Sequence, residues 1–442
     1  MKRLTTRVSY TLLFCLFFVQ IFAQKNIGRI DGRIVEKDSK APLWGASILL
    51  EGTQKGTLSD SKGTFSLSNI PANATLIIRH VGYLEQRYVI KEGFQSIYLE
   101  KSNFLNDEVI VQGTRAGSSS AMAYTNVSAE ELKKSNLGQD MPLLLQFTPS
   151  IVTTSDAGAG VGYTGIRIRG SDASRVNVTI NGIPVNDSES QGTYWVNMPD
   201  FASSVASVQI QRGVGTSTNG AGAFGGSVNM QTNEFEKSAY SEASVSGGSF
   251  NTLKSTLKFG TGLMKGKFTI DGRLSRVVSD GYLDRASSNL RSLYVSGAYF
   301  GEKSMIRINF FTGKEKTFQS WYGTPESRVN GDVAGMNAYI ERNWLGDEDA
   351  KNLLSSGRTY NYYMYPNQTD NYAQDHYQLL SHHTLNTNWN LDLNFHYTYG
   401  RGYYEEYKPF DDLSKYDLKP FTLNGEIIDN ANIIRQKWLD ND

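Results

Sequence analysis

The 442-residue chain balances 44 basic against 44 acidic side chains, so no net field at neutral pH draws it to nucleic acid or to an acidic surface. Gly at 42, Tyr at 25 and Phe at 21, with only 10 Pro, favour many short strands joined by tight turns and leave helix the minority. The length allows about two to four domains with full cores, and a single cysteine excludes a disulfide framework.

Lys2, Arg3 and Arg7 precede an apolar run from Leu12 to Phe22, and Ala23 offers a small residue for cleavage before Gln24. Residues 1–23 therefore read as a secretory signal peptide, since the run is shorter than the roughly 20 residues that span a bilayer. Cys15 lies inside that run behind bulky Phe14, which disfavours lipidation, and no cysteine remains after cleavage. No later segment is apolar enough for a membrane helix, so entry into a membrane would be as a β-barrel.

Residues 28–100 show short β-rich runs at 32–35, 46–50, 64–67, 76–79 and 88–90, separated by turn residues such as Asp60-Ser61-Lys62-Gly63 and Pro71-Ala72-Asn73. A seven-strand-type β-sandwich is expected. The string GRIVEKDSKAPLWGASILLEGTQKGTLSDSKGTFSL resembles the carboxypeptidase regulatory-like domain that precedes many outer-membrane receptors. An enzyme would need zinc ligands at HxxE or HExxH spacing, and the chain has neither. His80 is expected to be a strand or turn residue, and the domain structural or adaptor-like.

Within a polar linker at 101–120, Asp107, Glu108, Val109, Ile110 and Val111 form a short β-prone segment between tether-like flanks. It is either the first strand of the next domain or a segment that adds itself as an edge strand to a partner. It resembles a TonB box, and the tether favours that reading.

Residues 121–235 alternate in four places: Ile166 and Ile168 against Arg167 and Arg169, then 176–181, 208–211 and 228–231. Period two predicts a small sheet with one buried and one polar face. Asn181-Gly182 between apolar runs is a hairpin signal, and 129–147 reads as two short helices, making the unit α+β. The strings IRIRGSDASRVNVTINGIPVND and SVQIQRGVGTSTNGAGAFGGSVNMQT resemble the plug domain of TonB-dependent receptors. That resemblance implies structural roles for Arg167, Arg169, Gly170, Asn181, Gly182, Arg212, Gly213, Gly225 and Gly226, with the arginines facing a polar barrel wall. It also implies that the apex loops 155–163 and 186–195 touch cargo, through Tyr163, Asp187, Glu189, Gln191, Tyr194 and Trp195. Two GxGxxG patterns, at Gly160, Gly162, Gly165 and at Gly220, Gly222, Gly225, run into strands rather than helices, so no nucleotide is expected.

From 236 onward about seven strands are expected, at 241–250, 251–260, 267–278, 289–300, 304–318, 376–388 and 390–406. Leu391, Leu393, Phe395, Tyr397 and Tyr399 alternate with Asp392, Asn394, His396 and Thr398, as lipid-out and lumen-in require. A soluble sandwich with one wet face has the same period, but short connections after the second, fourth and sixth strands and a long stretch from 319 to 375 favour a barrel. The aromatics of that stretch are expected to form either a stacking surface or a self-packed lid. His376, His382, His383 and His396 have no trusted metal spacing, so neither metal nor cofactor is expected. The remaining 207 residues (442 minus 235) do not close a barrel of roughly 22 strands, so an incomplete antiparallel barrel from a truncated chain is expected.

The fold is thus expected to be mainly β: sandwich, plug and the N-terminal part of a transmembrane barrel. The resemblance implies a non-enzymatic receptor in the outer membrane of a Gram-negative bacterium. Its partners would be TonB with its inner-membrane energising complex, the lipid bilayer and a small nutrient. A ferric siderophore or ferric citrate is the first expectation, and haem, cobalamin or a glycan the alternatives. The rival from another class is a cell-surface adhesion or scaffold protein.

Overall fold

The computed structural model describes residues 26–441 except 38, 54, 72–73, 81–82, 84, 92, 101–113, 118–121, 215–222, 233–235, 237, 266, 302 and 387–388. The signal peptide, the Asp107–Val111 segment and Gly220 and Gly222 lie outside the described residues. Two compact units emerge, 1–105 and 106–442.

The first unit is a sandwich of seven strands: β1 (Asn26–Glu36), β2 (Ser47–Leu50), β3 (Gly56–Leu58), β4 (Thr64–Pro71), β5 (Thr75–Arg79), β6 (Gln86–Val89) and β7 (Gln95–Leu99). One sheet runs β4-β1-β7, the other β3-β2-β5-β6. Their inner faces bury Ile30, Ile34, Phe65, Leu67 and Ile97 against Ile48, Leu76 and Ile78. The predicted turn forms because the Asp60 carboxylate accepts from the backbone N–H groups of Lys62 at 2.9 Å and Thr64 at 2.8 Å. Gly63 follows at φ 74°, with no room for a Cβ beside the Ile34 carbonyl. His80 donates through Nε2 to the Trp44 carbonyl at 2.9 Å. β3 and β7 are not among the five runs read from the sequence.

In the second unit β8 (Tyr124–Ser128) leads into α1 (Ala129–Ser135), capped by Ser128 and Glu131, which bond reciprocally to each other's backbone N–H. After α2 (Met141–Leu144) come β9 (Ile151–Ser155), β10 (Thr164–Ile168), β11 (Val176–Ile180), β12 (Ile183–Pro184), β13 (Val205–Arg212) and β14 (Gly226–Thr232). The main sheet runs β12-β11-β14-β13-β8, with β11 parallel to β14. The Ile166–Ile168 run, expected in this sheet, instead pairs with β9 in a separate two-stranded ribbon. Asn181 at φ 55° and Gly182 at φ 80° make the expected two-residue turn.

The sheet's polar face is itself buried. Gln209 reaches the Ala116 carbonyl at 3.1 Å, Gln211 the Thr114 carbonyl at 2.9 Å, and Arg115 the Ser207 and Asn229 carbonyls at 3.0 and 2.9 Å. Residues 114–116 thus lie across that face and satisfy amides that burial would otherwise penalise.

Eight antiparallel strands form one open sheet: β15 (Tyr240–Gly247), β16 (Leu253–Gly260), β17 (Phe268–Ser279), β18 (Ser288–Phe300), β19 (Ser304–Phe318), β20 (Thr369–Asn386), β21 (Trp389–Asp412) and β24 (Asn430–Asn441). A hairpin of β22 (Phe421–Leu423) and β23 (Glu426–Ile428) stands apart. The eighth strand was not foreseen, because Ile433 and Ile434 are adjacent and blur the alternation. Connections at 301–303 and 387–388 are short, whereas at the opposite end 319–368 holds three helices, α3 (Glu326–Asn330), α4 (Val333–Asn343) and α5 (Asp347–Ser355). They share a small core of Met336, Leu353 and Tyr360, so this segment packs on itself.

Candidate functional site

Period two places Arg307 and Asn309 of β19 on one face and Ile306 and Ile308 on the other. The face that meets the globular α+β unit is the polar one. Asn309 is 0% exposed while Ile308 is 59% exposed. The same inversion runs from β16, with Lys254 and Thr256 buried and Leu257 exposed, to β20, with Gln378 buried and Leu379 exposed. On β21 residues 389–397 are exposed on both faces.

The contact is held by a buried ion cluster. Asp200, at φ 51° just before the one-turn helix Phe201–Ser204, accepts from Lys254 Nζ at 2.8 Å and lies 3.4 Å from Arg273. Its second oxygen accepts from Thr256 at 2.7 Å and Ser275 at 2.6 Å, and Ser203 and Asn136 bond the first at 2.6 and 3.1 Å. Burial alone would raise this carboxyl, but Arg273 and Lys254 outweigh it and hold Asp200 well below the usual carboxylate range. Gly313 of β19 is where the two layers press closest, since a Cβ there would overlap the Asn197 carbonyl. Asn181 donates to Gln378 at 3.2 Å, and Tyr294 donates to Thr232 at 3.1 Å.

Toward the long-loop end, Tyr163 donates its hydroxyl to Asp370 of β20, and its ring meets Trp321 edge-on at 5.7 Å. Burial, with Glu315 and Asp370 nearby, pushes the phenol upward and keeps it a donor. Trp321 also meets Tyr363 and Tyr404 edge-on, at 6.0 and 5.6 Å. Burial likewise pushes the Asp140 carboxyl, bonded to Thr164, up to about 8.

The residues expected to touch cargo divide. Glu189 and Gln191 are exposed at the tip of their loop, which Asp187 ties by accepting from the N–H groups of Glu189 and Ser190 at 3.1 and 2.7 Å. Asp187 and Tyr194 line a cavity of about 310 Å³ shared with Gln374, His376, His396 and Thr398. Tyr163 faces Asp370 instead, and Trp195, 3% exposed, belongs to the core. The arginines expected against the wall do not meet the described strands. Arg167 and Arg169 are exposed and Arg212 donates to Thr125 inside its own unit; their places at the interface are taken by Asp200, Asn181 and Tyr163. The glycines act locally: Gly170 at φ 75° and Gly213 at φ 99° turn the chain, while Gly225 and Gly226 pack where a Cβ would strike the Arg175 and Gln211 carbonyls. Gly160 and Gly162 have positive φ and lead into β10, a strand. No three His, Cys, Asp or Glu side chains among the described residues converge as metal ligands.

A plug-like unit seated on the polar face of an inverted antiparallel sheet is the arrangement of a barrel receptor, and the comparisons agree. Residues 30–111 match the CarboxypepD_reg-like domain, and residues 116–227 match the TonB-dependent Receptor Plug Domain. The chain thus carries two domains in the order found in TonB-dependent receptors. Among relatives, TonB-dependent receptor P26 of Formosa agariphila is 26% identical over 30% of this chain and 13% of its own length. TonB-dependent receptor SusC of Bacteroides thetaiotaomicron is 24% identical over 36% of this chain and 16% of its own. The solved ferric-catecholate import receptor Fiu of E. coli K12, closed form, shares the fold at TM-score 0.52 and 17% identity, over 74% of this chain and 43% of that one. The chain is thus much shorter than the relatives it matches. TonB-dependent receptors are outer-membrane proteins, transporters rather than enzymes, and the eight-strand sheet of this chain resembles part of their barrel.

Proposed function

We propose that this receptor imports a scarce nutrient across the outer membrane, driven by TonB, after export by its N-terminal signal peptide. The observation that carries the reading is the inverted sheet: its polar face is covered by the plug and its apolar face is left for lipid. Asp107–Val111 serve as the strand that adds to TonB, with backbone hydrogen bonds giving affinity. The cargo is an iron chelate, a ferric siderophore or ferric citrate, met first by Asp187, Glu189, Gln191 and Tyr194 on the plug loop. The support for that cargo is the fold shared with the ferric-catecholate import receptor Fiu, while the kinship with SusC keeps the glycan alternative open to the test below.

The test is uptake in cells that carry the receptor in its natural form. Removal of residues 107–111 is expected to abolish energy-dependent uptake of ⁵⁵Fe-loaded siderophore or citrate and to leave surface binding intact. Unchanged uptake would overturn the partner strand. Uptake of haem, cobalamin or a glycan without any of iron chelate would overturn the cargo and keep the transporter.

A further inference from the structure

The plug loop 155–163 is seated on the wall over two carboxyls. Glu315 of β19 and Asp370 of β20 share the inward face as diagonal neighbours, because Thr317 stands opposite Asp370 and Tyr372 opposite Glu315. Such neighbours are about 7–8 Å apart between Cα atoms. Both side chains are buried. Above them Gly162 presses on β18, where a Cβ would meet the Ser288 hydroxyl, and Val161 packs with Leu290. Tyr163 donates to one oxygen of Asp370, and the other, Oδ1, is buried without a partner. Glu315 accepts from the Thr317 hydroxyl at 3.1 Å.

The charged groups around this pair do not neutralise it. On β19, Lys314 and Lys316 flank Glu315 but point outward and are exposed, which also sets the pair beyond the outward apolar run of Ile306, Ile308 and Phe310. Across the strands stand the phenols Tyr372 and Tyr404, and Lys437 of β24 lies over the Tyr404 ring at 5.7 Å. The loop 280–287 brings Asp280, Asp284 and Arg285; Arg285 donates to the Tyr363 carbonyl at 3.1 Å, and Asp280 accepts from Asn251 at 2.6 Å. The plug adds Tyr163 and Tyr194, Asp156, which burial pushes up to about 6, and Asp140, whose charge is felt at Glu315. Two like charges in so dry a site cannot both persist, so the pair holds one proton. The Tyr163 hydroxyl satisfies a charge on Asp370, which leaves the proton on Glu315. An ionised Glu315 would need water, and water reaches it only when the loop lifts.

We propose that Glu315 and Asp370 form a proton-dependent latch on the plug loop, seated while the pair shares a proton and loosened once both carboxyls ionise. The seated state holds a proton that the lifted state releases, so seating weakens as pH rises. The latch concerns the seat of the plug and stands whatever cargo is carried. Its experiment attaches a nitroxide at Ala159→Cys in the receptor otherwise freed of cysteine and purified in dodecyl maltoside. Label mobility is followed by electron paramagnetic resonance from about pH 5 to about pH 9. The mobile fraction is expected to rise at least about threefold over that range, and a label at Ser66→Cys on the sandwich to show no change. Glu315→Gln, which cannot ionise, is expected to keep the loop seated throughout. Asp370→Asn removes the neighbouring charge and is expected to move the midpoint down by about one pH unit or more, since Glu315 then ionises without a like charge beside it. A response that persists in Glu315→Gln would overturn the proposal and assign the titration to Asp140 or Asp156. A wild-type label immobile at both ends of the range would overturn it as well, as would an unchanged midpoint in folded Asp370→Asn. Should Glu315→Gln fail to fold, the Asp370→Asn midpoint decides alone.

Discussion

The sandwich and the barrel wall are written in the same period and folded in opposite senses. On β4, Phe65 and Leu67 point into the core and Ser66 and Ser68 outward; on β19, Arg307 and Asn309 point inward and Ile306 and Ile308 outward. Alternation fixes that a strand has two unlike faces, and the surroundings decide which is covered. The sandwich covers its apolar faces with each other. The wall covers its polar face with the plug, so hydrogen bonds and ions stand there beside apolar contacts such as Phe201 with Tyr294 and Phe311, where the sandwich core is hydrocarbon.

The largest test of this contrast is Asp200→Ala. It strands Lys254 and Arg273 in a buried site, which should cost about 3–5 kcal/mol. The expected readout is release of the plug from the wall, seen as new protease cleavage within 121–232 with the sandwich unaffected. Next is an arginine on an outward position of each unit. Ile308→Arg is expected to cost about 2–4 kcal/mol near the bilayer centre, measured by urea unfolding from lipid vesicles. Ser66→Arg on the sandwich should stay within about 0.5 kcal/mol. Equal effects would erase the distinction between the two sheets. Gly313→Ala forces a methyl against the Asn197 carbonyl and should cost about 1–3 kcal/mol, read as a lower melting temperature.

The last test is a pH slope. Because burial raises Asp140 to about 8 from 3.8, the folded receptor holds a proton there that the unfolded chain has lost. Its contribution is therefore fully present below about pH 4 and declines as pH rises toward about 8. Unfolding midpoints at pH 5 and 8 should differ less in Asp140→Asn than in wild type. An unchanged slope would mean that Asp140 is ionised in the folded state.

Local chemistry was legible. The Asp60–Gly63 turn, the Asn181-Gly182 hairpin and the capped helix at Ala129 are each written in a few adjacent residues whose hydrogen bonds close on themselves. So was the wall, since its strands are long and strictly alternating and its connections alternate between short and long. What escaped depends on partners far along the chain. Asp200 looks like an ordinary loop acid until Lys254 and Arg273 arrive beside it, and nothing near Trp195 says that it faces inward while Tyr194 does not. The parallel pairing of β11 with β14 is likewise invisible to any pattern read within one strand.

The strip from Thr114 to Ala116 has a mechanical consequence. It is fastened to the plug through the side chains of Arg115, Gln209 and Gln211, and it lies directly downstream of the 101–113 segment. Tension applied from upstream meets these fastenings before any rung between β8 and β13. The strip can therefore be stripped off one bond at a time while the sheet beneath keeps its ladder, which makes the Thr114–Gln211 bond the point where a tug is first felt and Arg115 the next.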